Sequence, residues 1–167
     1  MIIIGIDPAI RTSGYSVIEY KNMSQVSIID CGVIKNTAAM PHSECLRRLS
    51  CGIDELVKTF QPAEAAIEDA FYGRNVKTSM VLSMARGAII AQLAVSKVAV
   101  TAYSPKSAKK AVTGRGTGSK EQIAGLLAML YNIDVSSIPL DATDAVALAL
   151  CHGLAGEAHS SIKGIRV

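Results

Sequence analysis

Between residues 70 and 120 the chain has no aspartate or glutamate, while nine lysines and arginines fall there. That stretch therefore carries +9 and leaves −6 for the remainder of a chain whose total is +3. Such asymmetry turns a basic face toward nucleic acid, with a solvated basic surface as the plain alternative. Other things are missing too. Cys31, Cys45, Cys51 and Cys151 form no CxxC pair and have no histidine ligand pattern nearby. They read as small buried hydrophobes in a reducing compartment, so a cytoplasmic protein is expected. His42, His152 and His159 are scattered, and no Ser-His-Asp or Cys-His nucleophile system is present. His152 falls eight residues after Asp144, on the same helical face, where packing or hydrogen bonding suits it better than ligation. No run is read as reaching membrane-spanning length, and no charged leader precedes the first apolar residues, so neither a membrane span nor a secretory signal is expected.

What is present fits one domain over 1–156, followed by a weakly patterned tail over 157–167, as a disordered terminus would be. Half of the residues are hydrophobic, which is ordinary for a globular protein. Residues 2–7 are apolar and β-branched and read as a buried central strand that Pro8 stops. Residues 14–20 and 26–35 read as a hairpin. Leu46, Leu49, Ile53, Leu56, Val57 and Phe60 recur at helical spacing, which predicts a helix over 43–60 with Ser43 as its N-cap. A short strand over 64–68, a helix over 76–96 and a strand over 98–103 follow. Pro105 sits at the first position of the next helix, and Ser119 with Gln122 forms a capping box for another. Asp141 opens the last helix. The order β-β-β-α-β-α-β-α-α-α predicts an α/β fold with a mixed five-stranded sheet flanked by helices.

Four carboxylates occupy costly positions. Asp7 ends the first apolar run, Glu68 ends another, and Asp141 and Asp144 begin an apolar helix. An unpaired buried charge is expensive, so such acids need partners. Asp7 with its following turn suits a metal or phosphate, or else it caps that turn. Side chains alternate along a strand, so only one of Glu68 and Asp69 can join Asp7; Glu68 is preferred because it directly follows the apolar alternation. Asp141 and Asp144 are either a helix start favoured by the dipole or two ligands on one side of a first turn. Together the four suit hard Mg²⁺ or Mn²⁺. Two such ions about 4 Å apart activate water and stabilise the leaving oxygen in phosphodiester hydrolysis. Arg74, Lys77, Arg86, Lys106, Lys109, Lys110, Arg115 and Lys120 can neutralise phosphates. Phe71 and Tyr72 either stack on unpaired bases or anchor the strand–helix connection in the core.

Ile4-Gly-Ile-Asp7-Pro8, Arg11-Thr-Ser-Gly14-Tyr15, Ala66-Ile-Glu68-Asp-Ala-Phe71, Ala85-Arg86-Gly87, Gly114-Arg-Gly116 with Lys120, and Asp141-Ala-Thr-Asp144 resemble the RuvC crossover-junction endonuclease family, in order over about 1–155. The resemblance implies a ribonuclease-H-like fold, a homodimer, and Mg²⁺-dependent resolution of four-way (Holliday) junctions by paired symmetric nicks in homologous recombination and repair. It implies catalytic, metal-binding roles for Asp7, Glu68, Asp141 and Asp144. Phe71 would stack on a base near the crossover, and Lys109 and Lys120 would lie beside the scissile phosphate, with Lys120 a catalytic residue that stabilises its charge. The helix carrying Ala85-Arg86-Gly87 would form the dimer, and a RuvA and RuvB type branch-migration complex would be the partner. One departure is Ala9 where that family usually has glycine, a strained choice if the position needs positive φ. The rival readings are an RNA–DNA hybrid nuclease of the same fold, a catalytically dead junction-binding protein, and an ATP-binding module of the actin and sugar-kinase type. The last normally needs two copies of the fold.

Overall fold

The computed structural model describes residues 1–69, 75–114, 119–131, 139–157 and 161–167. The elements run β1 (Ile2–Asp7), β2 (Thr12–Asn22), β3 (Gln25–Lys35), α1 (His42–Phe60), β4 (Glu64–Glu68), α2 (Val76–Val95), β5 (Ala99–Tyr103), α3 (Pro105–Thr113), α4 (Lys120–Tyr131), α5 (Leu140–Ala155) and β6 (Ile165–Arg166). The sheet order is β3-β2-β1-β4-β5-β6. The β1–β2, β2–β3 and β5–β6 pairs are antiparallel, and β1–β4 and β4–β5 are parallel.

The sheet thus has six strands rather than the expected five. The sixth comes from the weakly patterned tail, which by sequence resembles a disordered terminus. Its two residues pair with Thr101 and Ala102, and Val167 N–H donates to the Val100 carbonyl at 3.1 Å. A two-residue strand is too short to show periodicity. It forms because β5 would otherwise be an open edge.

Strand alternation divides the core in two. Ile3, Ile18, Tyr20, Ala66 and Tyr103 face α3, α4 and α5. Ile4, Ile6, Val17, Ala65, Ile67, Val100 and Ala102 face α1 and α2, meeting Leu49, Ile53, Ala85, Ile89 and Leu93. Each such aliphatic side chain contributes about 1.5–3 kcal/mol by leaving water.

Three local expectations need correction. Helix α1 starts one residue early at His42, with Pro41 at the N-cap and no side-chain cap bond, so Ser43 lies inside the first turn. Helix α5 likewise starts at Leu140 behind Pro139, so Asp141 is a first-turn residue and not the N-cap. In both cases the preceding proline sets an extended backbone that ends where the helix begins. The third concerns α2, which by length and composition is apolar enough to cross a membrane, although little of it is buried in a single chain. The capping box at Ser119 and Gln122 is formed, with bonds of 3.0 and 3.3 Å, and Ser104 caps α3 ahead of Pro105.

Helix α5 lies unusually close to the strands beneath it. A Cβ on Gly5 would come within 2.0 Å of the Ala145 carbonyl oxygen, and one on Gly14 within 2.0 Å of the Asp141 carbonyl oxygen. Only glycine permits that backbone contact. Gly5→Ala is therefore expected to destabilise the protein by about 1–3 kcal/mol, the usual cost of overpacking. Gly125→Ala, on an exposed turn of α4 with open space around it, should stabilise by about 0.5–1 kcal/mol. Denaturant unfolding of both variants checks the pair, and an unchanged midpoint for Gly5→Ala would refute the packing account.

All four cysteines are free thiols. Burial pushes the Cys151 thiol up to about 12 and raises Cys31 as well, with Asp30 adding to the latter. Both stay protonated at neutral pH, whereas Cys51 is exposed. A maleimide at pH 7.5 should label Cys51 first and Cys151 only on unfolding; peptide mapping after timed quenching reads this directly.

Candidate active site at the carboxyl ends of β1 and β4

Parity brings the acids together. On β1, Asp7 has the same parity as Ile3 and Gly5, the positions that face α5; on β4, Glu68 has that of Ala66. The two strands are parallel neighbours, with Ile6 opposite Ile67 as the last paired positions before the acids. Asp7 and Glu68 therefore leave the sheet side by side at its carboxyl edge, where α/β folds place ligands. Both line a small cleft of about 90 Å³ with Pro8, Asp69, Leu82 and Arg86. Glu68 also lines a second cleft of about 170 Å³ with Asp144, Lys109, Pro105 and Ala108. Glu68 is the side chain common to both clefts.

Asp141 arrives through the close seating of α5. Its carbonyl oxygen lies on Gly14, and Gly14 is the strand partner of Asp7. One α5 turn thus seats the Asp141 backbone against β2 and brings Asp144 to the cleft lined by Glu68 and Lys109. Neither acid occupies the N-cap position, which is Pro139, and Thr143 Oγ1 donates to the Leu140 carbonyl at 2.7 Å. The positive end of the helix dipole favours negative charge there. Asp7, Glu68, Asp141 and Asp144 each have an interaction partner in the structure. Among the described residues no three carboxylate, thiol or imidazole groups sit at metal-holding distance. The donor set is all hard carboxylate oxygen, the chemistry that suits Mg²⁺ or Mn²⁺ and not a softer ion.

Asp69 turns the other way. Its carboxylate is 3.7 Å from the Arg86 guanidinium of α2, and Arg86 Nε donates to the Glu68 carbonyl at 3.1 Å. Arg86 is thereby a brace for the end of β4. Its side chain is only 17% exposed, so it is poorly placed as an open phosphate contact. On α3, Lys109 is half-buried in the cleft while Lys106 and Lys110 are exposed. Lys77 is exposed at the start of α2. Phe71, Tyr72, Arg74 and Arg115 lie outside the described residues, as does the side chain of Lys120, whose backbone opens α4. His152 hydrogen-bonds on both nitrogens, to Tyr103 Oη at 2.9 Å and Glu64 Oε2 at 2.7 Å, as a packed histidine does.

Sequence reasoning missed the support beneath Asp7. Ser13 Oγ bonds both the amide and the carbonyl of Ala9, at 2.9 and 2.6 Å. The Asn36 side chain donates to the Ile10 carbonyl at 2.8 Å. Among the described non-glycine residues positive φ occurs only at Gln61 and Lys97, so Ala9 carries no left-handed strain. A lone asparagine at a strand end has no sequence pattern that would reveal this.

The model of the family described as "Crossover junction endodeoxyribonuclease RuvC" matches residues 3–152. The RuvC of Alkaliphilus metalliredigens is 36% identical over 163 residues, which is 98% of this chain and 99% of that protein. The RuvC of Caldanaerobacter subterraneus is 38% identical over 152 residues, covering 91% and 92%. Among solved structures, Thermus thermophilus RuvC in complex with a Holliday junction substrate superposes with a TM-score of 0.90 at 26% identity, covering 100% of this chain and 99% of that one. A yeast mitochondrial Holliday junction resolvase shares the fold, with a TM-score of 0.67 at 16% identity over 90% and 77%. The α/β sheet with its helices on both faces is thus the ribonuclease-H-like fold of RuvC. With nine-tenths of its length matched and its strand-end acids in place, the chain belongs to the RuvC family of crossover junction endodeoxyribonucleases.

Proposed function

We propose that this RuvC-family endonuclease resolves four-way DNA junctions as a two-fold dimer, nicking two equivalent strands by metal-assisted hydrolysis in recombination and repair. The observation that carries the reading is that Glu68 links the cleft of Asp7 to the cleft of Asp144 and Lys109. Asp7, Glu68, Asp141 and Asp144 would hold two Mg²⁺ or Mn²⁺ ions. When bound, such ions supply an activated water and neutralise charge on the phosphate. The protein's own residues do the rest. Lys109 offers a positive charge from the wall opposite Asp144, and Lys120 would add a second. Lys77, Lys106 and Lys110 would take flanking phosphates, together with Arg74 and Arg115, which makes binding salt-dependent. Phe71 would stack on a base unpaired at the crossover.

The dimer reading is supported by α2. Val76, Met80, Met84 and Val95 are exposed and lie with Gly87 and Ala91 along one stripe. Nothing lies within 4 Å of a Cβ built on Gly87. A contiguous apolar stripe on one helix is an association surface, and a two-fold axis through it would match a junction with two equivalent strands. The setting is the cytoplasm, away from membranes, with a branch-migration complex of the RuvA and RuvB type as the working partner.

Cleavage of an end-labelled four-way junction and a matched linear duplex tests the proposal. In Mg²⁺, Asp7→Asn and Glu68→Gln should lower nicking by at least roughly a hundredfold, the scale of losing one electrostatic contact to a reacting group, while junction binding persists. Asp69→Asn removes a partly exposed ion pair with Arg86 worth at most about 1 kcal/mol, so its nicking should stay within about fivefold. A preference for RNA–DNA hybrid, or nicking that survives Glu68→Gln but not Asp69→Asn, would sink the assignment. Separately, Met84→Glu should shift sedimentation velocity to a monomer and leave only uncoordinated nicks. A variant that stays dimeric would place the interface elsewhere.

A further inference from the structure

The loop of residues 8–11 joins Asp7 to β2, and tertiary contacts hold it at three points. Ser13 brackets Ala9. The Asn36 amide N–H donates to the Arg11 carbonyl at 2.8 Å, and its side-chain Nδ2 donates to the Ile10 carbonyl at 2.8 Å. The Arg11 guanidinium in turn donates to the Thr37 and Met40 carbonyls beyond Asn36. Asn36 is 8% exposed and its side chain is fully used, since Nδ2 also reaches the Cys45 carbonyl at 3.3 Å and Oδ1 accepts from Arg48 Nε at 3.1 Å. One buried amide thus ties the loop to both β3 and α1. Helix α1 is itself anchored in the core by Leu49 and Ile53.

We propose that Asn36 is a positioning residue for the metal site: it clamps the Ile10–Arg11 loop to α1 and so holds firm the end of β1 that carries Asp7. This rests on the reading of Asp7 as a metal ligand. The ladder with Gly14 sets the face on which Asp7 leaves β1, and whatever holds the four-residue, glycine-free loop that follows sets how firmly that strand end is fixed. Groups that hydrogen-bond a metal ligand directly typically govern metal affinity by 10–100-fold, and Asn36 acts one step further out, through the loop, which places its effect at the low end of that range. The clamp approaches from β3 and α1 and engages Arg11 and Arg48 there, so it leaves α3, α4 and their lysines untouched. Its loss should weaken metal binding while leaving DNA binding alone.

The test compares Asn36→Leu with Gln92→Leu. The second variant removes a side chain of similar reach that bridges α1 and α2, through Asp54 and Ser50, at a site away from the loop. Mn²⁺ binding to the DNA-free protein by electron paramagnetic resonance is the primary readout. Thermal midpoint, junction affinity in EDTA and the Mg²⁺ concentration for half-maximal nicking accompany it. Asn36→Leu should weaken Mn²⁺ binding about tenfold and raise the half-maximal Mg²⁺ by a similar factor, with junction affinity in EDTA unchanged. Gln92→Leu should lower the thermal midpoint but leave both metal readouts as in the wild type. Equal Mn²⁺ affinity in Asn36→Leu and wild type, equal weakening in both variants, or no Mn²⁺ binding by the wild type would overturn the inference. A wild type that binds Mn²⁺ but fails to nick junctions would refute the proposed function instead, and the Mn²⁺ comparison would still decide the role of Asn36.

Discussion

The contact of α5 with the backbones of β1 and β2 is the constraint on which the molecule depends. Gly5 and Gly14 leave the helix carbonyls of Ala145 and Asp141 against bare strand backbone. Nearly every α5 residue from Ala142 to Gly153 is buried as a result. This seating fixes the height of Asp141 and Asp144 above the sheet edge where Asp7 and Glu68 emerge. A side chain at either glycine would lift the helix and carry two of the four acids with it. Gathering like charges is costly: at an effective dielectric near 20, two carboxylates about 5 Å apart repel by about 3 kcal/mol. Close packing on both faces of the sheet supplies the opposing term, since a few buried aliphatic side chains at about 1.5–3 kcal/mol each exceed it. The acids are held where they are by the core, not by attraction to one another.

The same geometry sorts the cations. Of the basic residues between 70 and 120, Arg86 is turned inward to brace Asp69 and the Glu68 carbonyl. Lys109 enters the cleft, while Lys106 and Lys110, one helical turn apart, remain exposed. Three roles are drawn from one compositional run, and position on a helix face decides among them.

Much of this was legible in the residues. The order of the first ten elements followed from periodicity together with proline and capping signals, and a period of two puts Glu68 and Asp69 on opposite faces of the strand. What stayed hidden was tertiary. The β6 pairing depends on an open β5 edge and on Gly164, where a Cβ would meet Thr101 and Tyr103 at 2.3 and 2.7 Å. Asn36 has its partners in β1–β2 and α1, so neither its neighbours in sequence nor any spacing marks it out. The helix starts at His42 and Leu140 were misjudged by one residue because Ser43 and Asp141 have strong capping preferences, and the prolines before them prevailed.

Helix α2 would serve both the proposed association and the site. A helix apolar on all sides is normally enclosed, yet only Ala85, Ile89 and Leu93 are buried here, and the opposite stripe from Val76 to Val95 stays open in a single chain. The fold of one chain therefore does not complete the environment that this helix calls for. Arg86 adds the mechanical link, because it extends from α2 to the carbonyl of Glu68 and to the carboxylate of Asp69. Pairing α2 with a second copy would immobilise the helix that supports the end of β4. Formation of the dimer and alignment of Glu68 would then be one event, and two sites related by the two-fold axis would be set together rather than independently.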